Sequence, residues 1–287
     1  MSTYLPFKID LGGKVAVVTG GSGVLCSGFA KALAASGAKV AVIGRRLEAA
    51  QKVAGEIAAE GGIAVAVSAD VTDKASLVRA RETVNAKLGT VDILINGAGG
   101  NNPKGTTTKE YLFPEDLEKK AEGISTFFDL DEAGVRGVFD VNFIGTLLPT
   151  QVFAPDMAGK DGAVIINVSS MNSFRPLTKI PAYSAAKAAV SNFTQWLAVH
   201  FAPVGIRVNA IAPGFFVTEQ NRALLKNPDG SLTPRSEKII AHTPMNRFGD
   251  PDDLTGTLLW LVDKGSSGFV NGVVVPVDGG FAAYSGV

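Results

Sequence analysis

Residues 14–46 read KVAVVTGGSGVLCSGFAKALAASGAKVAVIGRR, and the order of patterns within them decides the fold. An apolar run (14–19) enters a glycine-rich turn, and a helical pattern follows over 23–36. A second apolar run (39–44) then ends in Gly44, Arg45 and Arg46. Neither run alternates apolar with polar, as expected for parallel strands covered on both faces. Strand, turn, helix and strand in this spacing predict a βαβ unit with a right-handed crossover.

The alternation continues along the chain. Further strands are predicted at 63–69, 91–96, 163–169, 206–212 and 272–278. Further helices are predicted at 47–60, 73–88, 131–158, 182–202 and 251–263. The expectation is an α/β protein: a Rossmann-type doubly wound parallel sheet of about seven strands, with helices on both faces and a single domain over 1–287. Two long excursions, at about 100–130 and 214–250, follow the carboxyl ends of strands, where open α/β sheets bind ligands. They are read as substrate-side loops.

Composition narrows the function. Twenty-seven basic residues balance twenty-seven acidic ones, so no global field points to nucleic acid or an anionic membrane. The single cysteine, Cys26, excludes an intramolecular disulfide and fits a reducing compartment. The first fourteen residues carry Asp10 and no long apolar core, so no signal peptide is predicted, and no apolar run reaches the roughly 18 residues of a membrane span. A cytoplasmic protein acting on a small molecule is expected, and the absence of a Cys/His cluster suggests no metal.

The glycine-rich turn suits a dinucleotide. Gly20, Ser22, Gly23, Val24 and Leu25 lie where backbone N–H groups and a helix N-terminus meet a pyrophosphate. An acidic residue at the end of the second strand would bind the ribose 2′-hydroxyl of NAD, whereas arginine suits a 2′-phosphate. Arg45 and Arg46 stand there, so NADP(H) is favoured, with NAD(H) as the second choice. Asp70 and Val71 end the third strand beside an adenine position. Asn96, Gly97, Ala98 and Gly99 make a small-residue turn against which a cofactor can lie.

Tyr183 and Lys187 stand four apart within a predicted helix and so share a face. An ammonium and a cationic nicotinamide ring beside the phenol are expected to draw its pKa towards neutrality. Ser170, thirteen residues earlier, ends the fifth strand with a hydroxyl for a substrate oxygen. Asn142 is placed to hold a water relaying protons to Lys187.

With these residues the chain resembles the short-chain dehydrogenase/reductases over nearly its whole length. The matching motifs are TGGSG at 19–23, Asp70, NGAG at 96–99, Asn142, Ser170, YSAAK at 183–187, Pro213-Gly214 and Thr218. The resemblance implies seven parallel strands, a homotetramer and the catalytic roles just given. It also implies that the stretch after Pro213 and Gly214, including Phe216 and Thr218, holds the nicotinamide. The family pattern TGxxxGxG has glycine where this chain has Val24 and Cys26. The turn is therefore expected to take another path or to hold the pyrophosphate farther away.

Several segments, among them NGAGGNNPK and the tail VPVDGGFAAYSGV, are similar to the group that interconverts D-mannonate and D-fructuronate. The residues agree with a sugar acid over a steroid or fatty acyl chain. Asn101, Lys104, Asn172 and Arg175 are the substrate-binding candidates, with Asn102, Lys179, Gln220, Asn221, Arg222 and His242 as further polar groups near the pocket. Alternatives are a dehydrogenase of another polyol or sugar acid, such as gluconate, and a catalytically silent dinucleotide sensor.

Overall fold

The computed structural model describes residues 9–118, 122–217 and 225–286. Seven parallel strands stand in the order β3-β2-β1-β4-β5-β6-β7: β1 (Val15–Thr19), β2 (Lys39–Gly44), β3 (Ile63–Ser68), β4 (Ile93–Asn96), β5 (Val164–Val168), β6 (Arg207–Pro213) and β7 (Val274–Val277). Each agrees with its predicted run to within a few residues.

The uniform apolarity of the strands has a direct cause. Ala16 and Val18 of β1 face one core, where α1 (Val24–Ala35), α2 (Leu47–Ala59) and the later helix Thr255–Val262 pack. Val15 and Val17 face a second core, built with α3 (Lys74–Lys87), α6 (Gly145–Met157) and α7 (Pro181–Phe201). Between α3 and α6 lie a short α4 (Glu115–Glu118) and α5 (Glu132–Phe139). Phe29 and Leu33 of α1 are fully enclosed, and each such side chain contributes about 1.5–3 kcal/mol by leaving water.

The chain runs from β1 to β3 on one side, then crosses to β4 on the other side of β1. At that reversal the turn after β1 meets the turn after β4. Gly20 has φ +63°, and a Cβ there would sit 2.9 Å from the Ala98 Cα. Only glycine allows both the left-handed backbone and this approach.

The predicted helix at 131–158 is one run of helical residues, 132–157, that changes pitch in its middle. A π-helical turn, Asp140–Ile144, separates α5 from α6. Asn142 lies inside it, and its side-chain Nδ2 donates to the Val138 carbonyl at 2.7 Å. An unbroken α-helix would pair that carbonyl with the backbone N–H of residue 142. No helix among the described residues is long and apolar enough to cross a membrane.

Candidate active site

Ser170 leaves the end of β5 and caps a 3₁₀ turn, Met171–Ser173, its Oγ accepting from the Asn172 backbone N–H at 3.3 Å. Pro181 occupies the first turn of α7, where its missing N–H costs nothing. Tyr183 and Lys187 follow one turn apart. The Ser170 hydroxyl stands near enough to the Tyr183 phenol to draw its pKa downward. Lys187 Nζ donates to the Val168 carbonyl at 2.8 Å and lies 5.8 Å from the Tyr183 ring centroid. Ser169 ties α7 to the strand end, its Oγ donating to the Lys187 carbonyl at 3.2 Å and lying 2.7 Å from Ser191 Oγ.

Burial dominates the electrostatics. It pulls Lys187 down to about 8, with the neighbouring Cys26 opposing, so the ammonium gives up its proton far more readily than an exposed lysine. Burial also raises the Tyr183 phenol above its ordinary value, with the Ser170 hydroxyl working the other way. The expected downward pull from Lys187 is not what the protein alone supplies. The enclosed hydroxyl keeps its proton, the form needed by a proton donor.

Asn142 is fully enclosed, and its amide also donates to the Gly100 carbonyl at 2.7 Å and accepts from the Gly100 N–H at 3.3 Å. Gly99 sits between it and the lysine: a Cβ there would lie 2.7 Å from Asn142 Oδ1 and 3.2 Å from Lys187 Nζ. Both polar groups thus border the same backbone position. Behind Asn142, Thr146 Oγ1 donates to its carbonyl and Thr150 Oγ1 to that of Thr146, both at 2.8 Å.

At the nucleotide end, Gly23 caps α1 and offers no side chain, so the first N–H groups of the helix are uncapped beside Ser22 and Leu25. The fit to a dinucleotide rests on that open helix end and the Gly20 approach. Val24 is simply the first residue of α1. Cys26 corrects an expectation: it is buried, and its Sγ points beneath the turn after β4, 3.7 Å from the Gly97 carbonyl. A Cβ on Gly97 would lie 2.2 Å from that sulfur. The thiol therefore fills core space and does not line the pyrophosphate turn. Burial holds it neutral, pushed up to about 12.

Gly97 and Ala98 donate their N–H groups to Thr19 Oγ1 at 3.1 and 3.3 Å, which fixes the second turn against the first. Asn96, expected at the cofactor, turns its amide inward, donating to Thr150 Oγ1 at 3.0 Å and Asn167 Oδ1 at 2.9 Å. Phe216 is likewise buried, its ring filling the space a Cβ on Gly249 would take. The Asp70 carboxylate accepts from the Thr72 N–H and hydroxyl, which hold it below the usual carboxylate range, and Val71 is buried beside Gly145. Arg45 and Arg46 are exposed, and neither forms an ion pair among the described residues. Pro213 ends β6, and Gly214 passes so close to Asp278 that a Cβ would lie 2.6 Å from the Asp278 Cα. Thr218, Gln220, Asn221 and Arg222 lie outside the described residues.

The substrate candidates separate. Asn101 and Lys104 are exposed, and the Asn101 amide donates to Thr106 Oγ1 at 3.1 Å. Arg175 is exposed and donates Nε to the Ala282 carbonyl at 3.1 Å, tying its loop to the C-terminal tail. Asn172 differs: it is 4% exposed, yet its Oδ1 has no hydrogen-bond partner. A buried amide oxygen without a partner thus lies two residues from Ser170. The Thr146–Thr150 ladder carries no signal in the sequence, because nothing in its local pattern reports the contacts it makes.

The profile of the family described as short chain dehydrogenase matches residues 14–229. An uncharacterized oxidoreductase, UxuB, of Bacillus subtilis is 57% identical over 99% of this chain and 100% of its own length. A crystal structure from Haemophilus influenza, described provisionally as a D-mannonate oxidoreductase with bound NAD, superimposes with TM-score 0.93 at 55% identity. The match covers 99% of this chain and 100% of that one. The 2-dehydro-3-deoxy-D-gluconate 5-dehydrogenase of Formosa agariphila is 32% identical over 96% of each chain.

Proposed function

The chain belongs to the short-chain dehydrogenase family as an NAD(P)-dependent oxidoreductase, and from that premise we propose that it interconverts a secondary alcohol and a ketone on a sugar acid. D-Mannonate and D-fructuronate are the proposed pair. The observation that carries the chemistry is the buried Lys187, one helical turn from Tyr183 and bonded to the Val168 carbonyl two residues before Ser170. The orphaned Asn172 amide supports a hydroxyl-rich substrate, as do the names of the Haemophilus and Formosa relatives.

In the reducing direction Ser170 holds the carbonyl oxygen and Tyr183 gives that oxygen its proton. Lys187, whose proton is loosened by burial, restores the phenol through the Asn142 side of Gly99. A bound nicotinamide dinucleotide supplies or accepts the hydride at the carbon. Gly20, Ser22, Gly23, Val24 and Leu25 would hold its pyrophosphate. Asp70, Val71, Gly97, Ala98 and the Pro213–Phe216 backbone would hold its ring ends. The exposed Arg45 and Arg46 favour NADP(H) by charge, and the NAD in the Haemophilus relative supports NAD(H) as a second coenzyme. A cytoplasmic homotetramer is the assembly proposed. The inward packing of Cys26 removes the reason for reading the chain as a silent sensor.

The test is an absorbance assay at the reduced-nicotinamide band with fructuronate, 5-ketogluconate and neutral ketoses, using both coenzymes. Fructuronate turnover, abolished by Tyr183→Phe while coenzyme binding is kept, supports the reading. No turnover of fructuronate with either coenzyme rejects that substrate.

A further inference from the structure

Described parts of the two excursions and the C-terminal tail border an open cleft of about 150 Å³, lined among others by Glu110, Phe215, Arg235, Lys238, His242 and Phe281, with Leu177 at its wall. Leu177 lies on the loop from Ser170 to Tyr183, and Phe215 follows Gly214, so two of its walls belong to segments that carry site residues. Arg235 and Lys238 come from the helix Pro234–Ala241. Lys238 pairs with Glu110 across 128 residues of sequence, and Lys179 and Arg235 also act on that carboxylate. One carboxylate therefore faces three cations, and Arg235 forms no ion pair among the described residues.

We propose that this cleft receives the carboxylate of the substrate, with Arg235 as its planar two-pronged ligand and Lys238 as the second cation. The proposal rests on the sugar-acid reading above. An arginine fork matches a carboxylate in two parallel hydrogen bonds. The apolar walls formed by Leu177, Phe215 and the Phe281 ring, which meets Phe215 edge-on at 5.1 Å, lower the polarity beside the cations and so strengthen the attraction. The other candidates are less suited: Arg175 is bonded to Ala282, and Lys104 lies on an exposed turn outside this cavity. Glu110 competes for Lys238 and opposes a second carboxylate in the cleft.

The experiment compares the sugar acid with its neutral counterpart, in which a primary alcohol replaces the carboxylate, on the full-length enzyme. Arg235→Gln is expected to raise KM for the acid by about ten- to a hundredfold, leaving kcat and the neutral substrate's KM nearly unchanged. Glu110→Gln, which removes the opposing negative charge, is expected to lower KM for the acid severalfold. Coenzyme titration by fluorescence confirms that each variant is folded. Equal changes for both substrates in Arg235→Gln, or none for the acid, overturn the carboxylate assignment while the function stands. Wild-type turnover of neutral ketoses but no sugar acid overturns the function and this inference together.

Discussion

Cys26 Sγ lies 3.7 Å from the Gly97 carbonyl oxygen and occupies the space that a Cβ at position 97 would need. The two residues are complementary in volume: the bulk carried by the helix is absent from the turn. Gly97→Ala is expected to destabilise the protein by about 1–3 kcal/mol through overpacking. In a Cys26→Gly background the same change should cost much less, a coupling that a thermal double-mutant cycle measures. Cys26→Gly alone should lower the thermal midpoint and leave coenzyme affinity within twofold, about the limit of a titration. Additive single and double variants would dismiss the relationship.

Asn172 holds an amide oxygen out of water without a partner. Such a group costs about 1–3 kcal/mol, so replacing it by an apolar side chain of similar size should stabilise the ligand-free protein. For Asn172→Leu we expect a higher thermal midpoint together with a ten- to hundredfold fall in kcat/KM, roughly the loss of one or two ligand hydrogen bonds. Unchanged turnover would remove Asn172 from the substrate site.

Lys187 presents a similar trade between stability and activity. Its folded pKa of about 8 lies below the ordinary 10.5, so the unfolded chain binds its proton more tightly. The burden on stability is fully present below pH 8 and fades as pH rises towards 10.5. Lys187→Met should therefore abolish turnover yet stabilise the fold at pH 7 by about 1–3 kcal/mol, with the advantage shrinking on the alkaline side. Denaturant melts at pH 7 and 10 check the sign.

Tyr183 predicts opposite pH behaviour for the two reaction directions. Because burial raises its pKa, the proton-donating phenol persists through neutral pH, and reduction should be nearly flat from pH 6 to 8, roughly two units below the titration of a free phenol. Oxidation needs the phenolate and should quicken by up to about tenfold per pH unit across the same range. A pH-independent oxidation rate at saturating coenzyme would remove Tyr183 as the proton acceptor.

The coenzyme preference is a charge question. Arg45 stands exposed at the end of β2 and contributes to lowering the Asp70 pKa. Arg45→Asp should move the ratio of NADH to NADPH use by about tenfold towards NADH, since an exposed arginine–phosphate contact is worth about 1 kcal/mol. Paired Michaelis constants for the two coenzymes measure it, and an unmoved ratio assigns the adenosine end to other residues.

Much of the fold was legible because its causes are local. Continuous apolar runs report strands covered on two faces, as Ala16 and Val17 confirm by entering opposite cores. The interval from Tyr183 to Lys187 is one helical turn, so their shared face follows from spacing alone. The π turn inside the predicted helix at 131–158 was not legible for a nonlocal reason: the Asn142 side chain within it is bonded to Gly100, 42 residues away.

The sequence by itself determined the order of strands and helices, the glycine-rich turn after the first strand and the shared helical face of Tyr183 and Lys187, since each follows from periodicity or from fixed spacing. Only the tertiary structure decided which way side chains such as Asn96, Cys26 and Phe216 turn. It alone brought Glu110 to Lys238 and left Asn172 without a partner. Those outcomes depend on which distant segments share a volume, and close packing settles that between chain segments far apart in sequence.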